Sequence, residues 1–227
     1  MPQSIVIFAA HPDDEVLGCG GTIAKLADAG AVIHVAFLAD GVSSRERMMA
    51  KHQKELHFRR SAAKKSCDIL GVSSVSFGDF PDNRLDTIAL LDLIKFLENL
   101  IAQHQPELVF THHAGDLNID HRRLHDAVVT ACRPQRGHSV KSLLCFEVPS
   151  STEWQLANSA PIFAPNWFVD ISATLDRKLA ALDAYAEEMR PWPHPRSSKA
   201  VEHLVHWRGS IVGVNAAEAF MLGRRIE

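Results

Sequence analysis

Short runs of apolar and β-branched residues alternate with segments of helical character, and together they predict a three-layer α/β domain around a mostly parallel sheet. Apolar runs recur at 5–10, 32–38, 75–77, 108–111, 143–148 and 167–171. Helix-like segments fall between most of them. Glycine or proline punctuates their exits, as at Gly30, Gly71 and Pro106.

Taken in order, the first strand is Ile5-Val6-Ile7-Phe8 with Ala9 and Ala10 behind it, and an Ala-rich helix over 22–29 follows, with Gly30 at its C′ position. After the strand 32–38 comes a long, highly charged helix from about 44 to 70, stopped by Gly71. Leu90, Leu91, Ile94, Leu97 and Ile101 recur at helical spacing over 87–103, and Pro106 ends that helix before the strand 108–111. A further helix is expected over 122–132, a loop over 149–165, and a helix N-capped by Ser172 that runs through Tyr185. The prolines of Arg190-Pro191-Trp192-Pro193-His194-Pro195 block helix there and predict an extended, stiff segment. From about 186 to 227 the pattern reads as an irregular extension that covers the pocket.

At 227 residues, 46% of them hydrophobic, the chain can bury one sizeable core, and no repeat or linker divides 1–227, so one domain is expected. A formal charge of −3 gives no global attraction to nucleic acid or anionic membrane, so any charged substrate must be held by a local patch and the bulk charge is silent about partners; a homo-oligomer is left open. Cys19, Cys67, Cys132 and Cys145 form no Cys-x-x-Cys pair and read as reduced core thiols of a cytoplasmic protein. No uninterrupted apolar stretch approaches the roughly 20 residues of a membrane span, and no basic segment precedes the first strand.

The chemistry concentrates at two strand ends. His11-Pro12-Asp13-Asp14-Glu15 sits directly after the first apolar run, where so much charge beside a core costs several kcal/mol per ion unless a cation or hydrogen bonds compensate. His112, His113, Asp116, Asn118, Asp120 and His121 follow the strand 108–111. In a Rossmann-like parallel sheet ligands bind at the carboxyl ends of the strands, so the two clusters can meet there and compose a His/Asp/His metal site. Three protein ligands and an open position are the pattern of a catalytic zinc, whose bound water has a pKa near 7. Such a set also accepts iron or another divalent ion. A neighbouring carboxylate is still needed to take the proton of the attacking water, and the consecutive aspartates can supply both a ligand and a base.

The run His11-Pro12-Asp13-Asp14-Glu15-Val16-Leu17-Gly18-Cys19-Gly20-Gly21 closely resembles the opening motif of the LmbE-like (PIG-L) de-N-acetylases, which include enzymes acting on N-acetylglucosaminyl-phosphatidylinositol and on mycothiol or bacillithiol precursors. The likeness continues at Arg59, at Asp79-Phe80-Pro81-Asp82, at Asp116-Leu117-Asn118-Ile119-Asp120-His121-Arg122 and, weakly, from Asp170-Ile171 to Lys178-Leu179-Ala180-Ala181-Leu182. It implies a zinc-dependent hydrolase that removes the N-acetyl group of an amino sugar or its conjugate. His11, Asp14 and His121 would be the zinc ligands, Asp13 the general base, Glu15 an orienting group behind them, and Arg59 and Asp82 contacts to sugar hydroxyls. Two positions depart. Asn118 stands where many relatives carry a histidine that stabilises the oxyanion or protonates the amine; its amide can donate a hydrogen bond but not a proton. The acid is then Asp13 itself, or His113, His125 or His194. Ala62 stands where relatives often place a glutamate after the arginine. An amidase acting on a non-sugar amine and a sugar-binding relative without turnover are the alternatives.

Simpler readings accompany these. Asp13 or Asp14 could merely N-cap a helix. Gly18, Gly20 and Gly21 lack the third glycine of a dinucleotide fingerprint, which would fall at Ile23, and fit close packing at a helix start instead. The basic run from Arg45 to Lys65 reads as a solvated helical face, with an anion site as the alternative. His34, His52, His57, His104, His138, His203 and His206 read as structural or surface residues, while Trp192 and His194 divide between a packed loop and a substrate-facing one.

Overall fold

The computed structural model describes residues 3–42 and 49–227, with backbone alone for 49–52. Its elements run β1 (Ser4–Ala9), α1 (Asp14–Asp28), β2 (Val32–Ala39), α2 (Met49–Leu70), β3 (Ser74–Phe80), α3 (Leu90–His104), β4 (Leu108–His112), α4 (Ile119–Ala131), β5 (Ser142–Phe146), β6 (Trp167–Asp170), α5 (Leu175–Asp183), α6 (Ser198–Val212) and β7 (Ala217–Arg225). Among the described residues seven strands form one sheet in the order β3-β2-β1-β4-β5-β7-β6. The first five in that order are parallel, and β7 is antiparallel to both of its neighbours.

Period-two alternation sends each central strand into two cores. Ile5, Ile7 and Ala9 of β1 join Ile33, Val35 and Phe37 of β2 in the core under α1, α2 and α5. Val6, Phe8 and Ala10 join Ala36 and Leu38 in the core under α3 and α4. Side chains of this size stabilise the fold by about 1.5–3 kcal/mol each when fully buried. Of the predicted α3 stripe, Ile94, Leu97 and Ile101 face the second core and Leu90 packs against it partly buried, but Leu91 is exposed; Leu93 and Leu100 complete the buried face. All four cysteines are buried and unpaired with one another. No helix among the described residues is long and apolar enough to cross a membrane.

Several boundaries differ from the sequence expectation. The first helix starts at Asp14, not near residue 22, and is interrupted at Cys19, whose φ of −147° is not helical. The glycines around that break do pack closely: a Cβ on Gly18 would run into the Phe146 ring, and one on Gly21 would lie 2.7 Å from Ile171 Cδ1. Thr174, not Ser172, precedes α5; the Ser172 hydroxyl bonds the Asp170 carboxylate instead. The segment 190–195 turns rather than extends, with His194 N donating to Pro191 O at 3.1 Å. The region 186–227 is not irregular: it holds α6 and β7, and β7 is inserted in the sheet between β5 and β6.

The break in α1 is filled by a buried ion pair from the far end of the chain. Lys178 Nζ donates to Val16 O and Leu17 O at 2.8 and 2.9 Å and to Glu218 Oε1 at 2.5 Å. The Glu218 carboxylate accepts from Gly21 N and Thr22 N at 2.9 and 2.7 Å. The carbonyls left open by the first half of α1 and the amides opening the second half are thus both satisfied.

Candidate active site

The sheet order reverses direction between β1 and β4, the switch point at which ligands bind in open α/β sheets. His11 to Glu15 follow β1, and Asp116 to His121 lie between β4 and the first turn of α4, so the two clusters meet at that crevice.

Asp14 stands at the centre. Its Oδ2 is 3.3 Å from both His11 Nδ1 and His121 Nε2, and all three residues are buried. Each imidazole is held from behind by a second carboxylate. His11 Nε2 meets Asp120 Oδ2 at 3.0 Å, and His121 Nδ1 meets Asp116 Oδ1 at 3.1 Å. Such a carboxylate behind a histidine fixes its tautomer and aims the other ring nitrogen, as around bound metal ions. These carboxylates are themselves fixed. Asp120 accepts from Asn83 N and Leu85 N, and Asp116 accepts from the Ser151 hydroxyl, from Thr152 Oγ1 at 2.6 Å and from Asn118 N at 2.9 Å.

The electrostatics match that arrangement. Burial opposes charge on both imidazoles, yet Asp120, Asp14 and Asp82 raise His11 well above its ordinary value, and Asp14 and Asp116 raise His121 to about 9. Burial would push Asp14 up, but His121 and His112 outweigh it and hold that carboxyl well below the usual range. The pocket therefore draws positive charge. Asp14 Oδ1 and both ring nitrogens of His121 are buried without an aligned hydrogen-bond partner, and His11, Asp14 and His121 bring one donor atom each within 4.8 Å of one another, a set that could hold a metal ion. His11, Asp82 and Asp120 form a second such group. Asp120 is committed there to the backbone of 83–85, which favours the first.

Asp13 takes the N-cap position of α1 but makes no capping hydrogen bond, so capping does not account for it. Its backbone is strained, with φ at 119°. Burial raises its carboxyl, against Arg196 and Arg59, which lower it. Glu15 lies behind it: Oε2 accepts Asp13 N at 3.0 Å, and Oε1 accepts Ser66 Oγ at 3.0 Å and Tyr185 Oη at 2.8 Å. Burial raises the Glu15 carboxyl to about 7.

Of the other residues singled out in the sequence, Arg59 is buried, pairs with Glu188 and lies 3.7 Å from Asp13 Oδ2. Asp82 lies 3.1 Å from His11 Nε2. Four candidates are turned elsewhere. Asn118 is the N-cap of α4; its Oδ1 accepts Asp120 N at 2.8 Å and its Nδ2 donates to Asn83 Oδ1 at 3.2 Å, so the amide is engaged on both sides. His113 bonds Pro161 O at 2.8 Å and anchors the 155–165 loop. His194 Nδ1 accepts Arg196 N at 3.0 Å. His125 holds His112 O at 2.9 Å, behind β4. In the basic run, Arg45, Arg47 and the side chains of Lys51 and His52 fall outside the described residues; Lys54, Lys64 and Lys65 are exposed, as on a solvated face.

Arg196, Tyr185, Ser66 and Glu188 reach this site without a signal in the sequence. A buried glutamate at position 15 does demand donors, but nothing local says that a tyrosine so far along the chain provides one.

Fold and site together define an α/β domain with a cation-seeking His/Asp/His group and an adjacent buried carboxylate at its switch point. The family model for GlcNAc-PI de-N-acetylase (PIG-L) matches residues 6–132, and the chain belongs to that family. It is 31% identical over 154 residues to the uncharacterized deacetylase YaiS of Escherichia coli K12, covering 66% of this chain and 76% of that one. It is 28% identical over 200 residues to the diacetylchitobiose deacetylase of Thermococcus kodakarensis, covering 82% and 70%. The crystal structure of the 4-carboxy-2-hydroxymuconate hydratase of Pseudomonas putida KT2440 superimposes with a TM-score of 0.78 at 24% identity, covering 100% of this chain and 98% of that one.

Proposed function

We propose that this chain is a metal-dependent hydrolase that removes the N-acetyl group from an amino sugar or an amino-sugar conjugate. The observation that carries the proposal is the convergence of His11 Nδ1 and His121 Nε2 on one oxygen of Asp14, each ring backed by a carboxylate, beside a buried Asp13. Family membership and the diacetylchitobiose deacetylase relative support the substrate class.

His11, Asp14 and His121 would hold the ion, with zinc expected for two nitrogens and a carboxylate and iron as the alternative. Bound there, such an ion would polarise the amide carbonyl and acidify water. Asp13 takes a proton from the attacking water as the water oxygen adds to the acetyl carbon. It then returns the proton to the sugar nitrogen as the C–N bond breaks, leaving acetate and a free amine. With Asn118 engaged as a cap, and His113 and His194 bonded elsewhere, Asp13 serves as both base and acid. Glu15 holds the Asp13 amide, and Arg59 and Asp82 flank the crevice where sugar hydroxyls would lie.

The test is metal content of the purified protein together with acetate release from N-acetylglucosamine, di-N-acetylchitobiose and N-acetylated non-sugar amines. Asp13→Asn is expected to lower kcat at least about 100-fold, the lower range of general acid–base contributions, without loss of metal. Protein free of divalent metal and an Asp13→Asn variant as active as the original chain would refute the mechanism. Because one protein of this fold is a hydratase, an unsaturated carboxylic acid belongs in the panel; turnover of it alone would move the function to water addition.

A further inference from the structure

The carboxylate of Asp13 accepts one side-chain hydrogen bond among the described residues, from Arg196 Nη1 to Oδ2 at 3.2 Å. Arg59 is farther, at 3.7 Å, and is committed to Glu188. Arg196 lies outside both polar clusters, just before α6, and its surroundings are built to hold it. Its N–H donates to His194 Nδ1 at 3.0 Å, its carbonyl accepts Arg190 N at 3.1 Å, and its Nε donates to Ser150 Oγ at 3.0 Å. The next residue, Ser197, caps α6 by accepting Ala200 N at 3.0 Å, so the turn is continuous with the helix. Pro191, Pro193 and Pro195 restrict the backbone of the same turn, which lowers the entropy lost in ordering it.

Two segments far apart in sequence therefore converge to place one guanidinium on the carboxylate that the proposed function uses as base. Asp13 needs such a guide. Its backbone is in a strained left-handed conformation, and its amide is taken by Glu15 rather than by a cap of its own. We infer that Arg196 is a positioning residue for Asp13: by holding Oδ2 it fixes the carboxylate rotamer and leaves Oδ1 to face the reacting water. The inference rests on the role given to Asp13 above. It also gives His194 a purpose other than substrate contact, as the acceptor that sets the Arg196 backbone.

The experiment compares Arg196→Met and Arg196→Lys in the full-length, zinc-loaded protein, with di-N-acetylchitobiose as probe. Displacing a base by about 1 Å can cost on the order of 100-fold, so Arg196→Met is expected to lower kcat about 30- to 100-fold with KM within threefold and metal content unchanged. Arg196→Lys recovers part of that loss, and millimolar guanidinium restores activity to Arg196→Met, a rescue that a purely structural role would not give. Crystal structures of both variants supply a second readout. The Asp13 carboxylate is expected to rotate or divide between conformers while His11, Asp14 and His121 stay in place. Unchanged kcat in Arg196→Met, or a single unmoved Asp13 conformer, overturns the inference. If the original chain releases acetate from no N-acetyl compound, the deacetylase reading fails by itself, and the crystallographic comparison alone decides whether Arg196 positions Asp13.

Discussion

Asp13 and Asp14 are adjacent, equally buried and electrostatically opposite. Burial pushes both carboxyls up, but Asp14 faces two imidazoles and is driven well down, whereas the arginines beside Asp13 do not cancel its burial. Neighbours rather than residue type set apart the proposed ligand from the proposed base. Glu15 completes the triplet through geometry: both its oxygens receive donors, the Asp13 amide on one and the Ser66 and Tyr185 hydroxyls on the other. Glu15→Gln turns one of those oxygens into an NH2 group facing donors. We expect a loss of about 2–3 kcal/mol, in the range of a buried hydrogen bond to a charged group, and a fall in kcat of about 10- to 100-fold from a misplaced base. Tyr185→Phe removes one donor and should cost about 1–2 kcal/mol with a smaller kinetic effect. Urea melts and steady-state kinetics measure both, and a Glu15→Gln protein equal to the original in each would show that Glu15 orients nothing.

At the scale of elements, α1 bends at Cys19, so that its first half presents Asp14 and Glu15 while its second half packs against α5 and β7. Lys178 and Glu218 close that bend. A buried ion pair is weak evidence of net stability, but removing one partner leaves the other charge stranded, a loss of about 3–5 kcal/mol. Glu218→Gln and Lys178→Met should each show a loss of that order in urea melts, and the double variant should lose less than the sum of the singles. Additive losses would mean that the two side chains act independently. Strands β1 to β6 and helix α3 are legible because apolar runs and periodicity write a core face directly into the chain. The first half of α1 is not legible, because Gly18, Gly20 and Gly21 read as packing before a helix start, whereas they lie inside the helix against Phe146 and Ile171. Likewise α6 and β7 were missed: α6 buries only Val201, Val205 and Gly209, and β7 carries a buried glutamate among its first residues. His11, Asp13, Asp14 and His121 were readable because a local motif contains them. Arg196, Tyr185 and Glu218 were not, because their partners are supplied by the fold from far along the chain.

For the whole molecule, the decisive feature is that the proposed ligands straddle the switch point. His11 and Asp14 belong to the β1–α1 connection and His121 to α4, so an ion bound to all three ties together segments that the sheet joins only through the β1–β4 pairing. Binding that favours the folded state stabilises by RT ln(1 + [L]/Kd), about 4 kcal/mol at a thousandfold excess over Kd. For a chain of this size each kcal/mol moves Tm by about 2–4 °C, so zinc should raise Tm by about 8–16 °C over chelator-treated protein. The same measurement separates the two candidate ion sets, which share His11 but differ at Asp14 with His121 and at Asp82 with Asp120. Asp14→Ala and His121→Ala should abolish the zinc-dependent rise. Asp82→Ala should keep it, because Asp82 lies against the His11 nitrogen already held by Asp120 rather than the one aimed at Asp14. Asn118→Ala should keep it too while lowering Tm in zinc and in chelator alike, since its loss is that of a helix cap, about 1 kcal/mol. Coincident melting curves with and without zinc, or a rise lost in Asp82→Ala and kept in Asp14→Ala, would remove His11, Asp14 and His121 as the metal set.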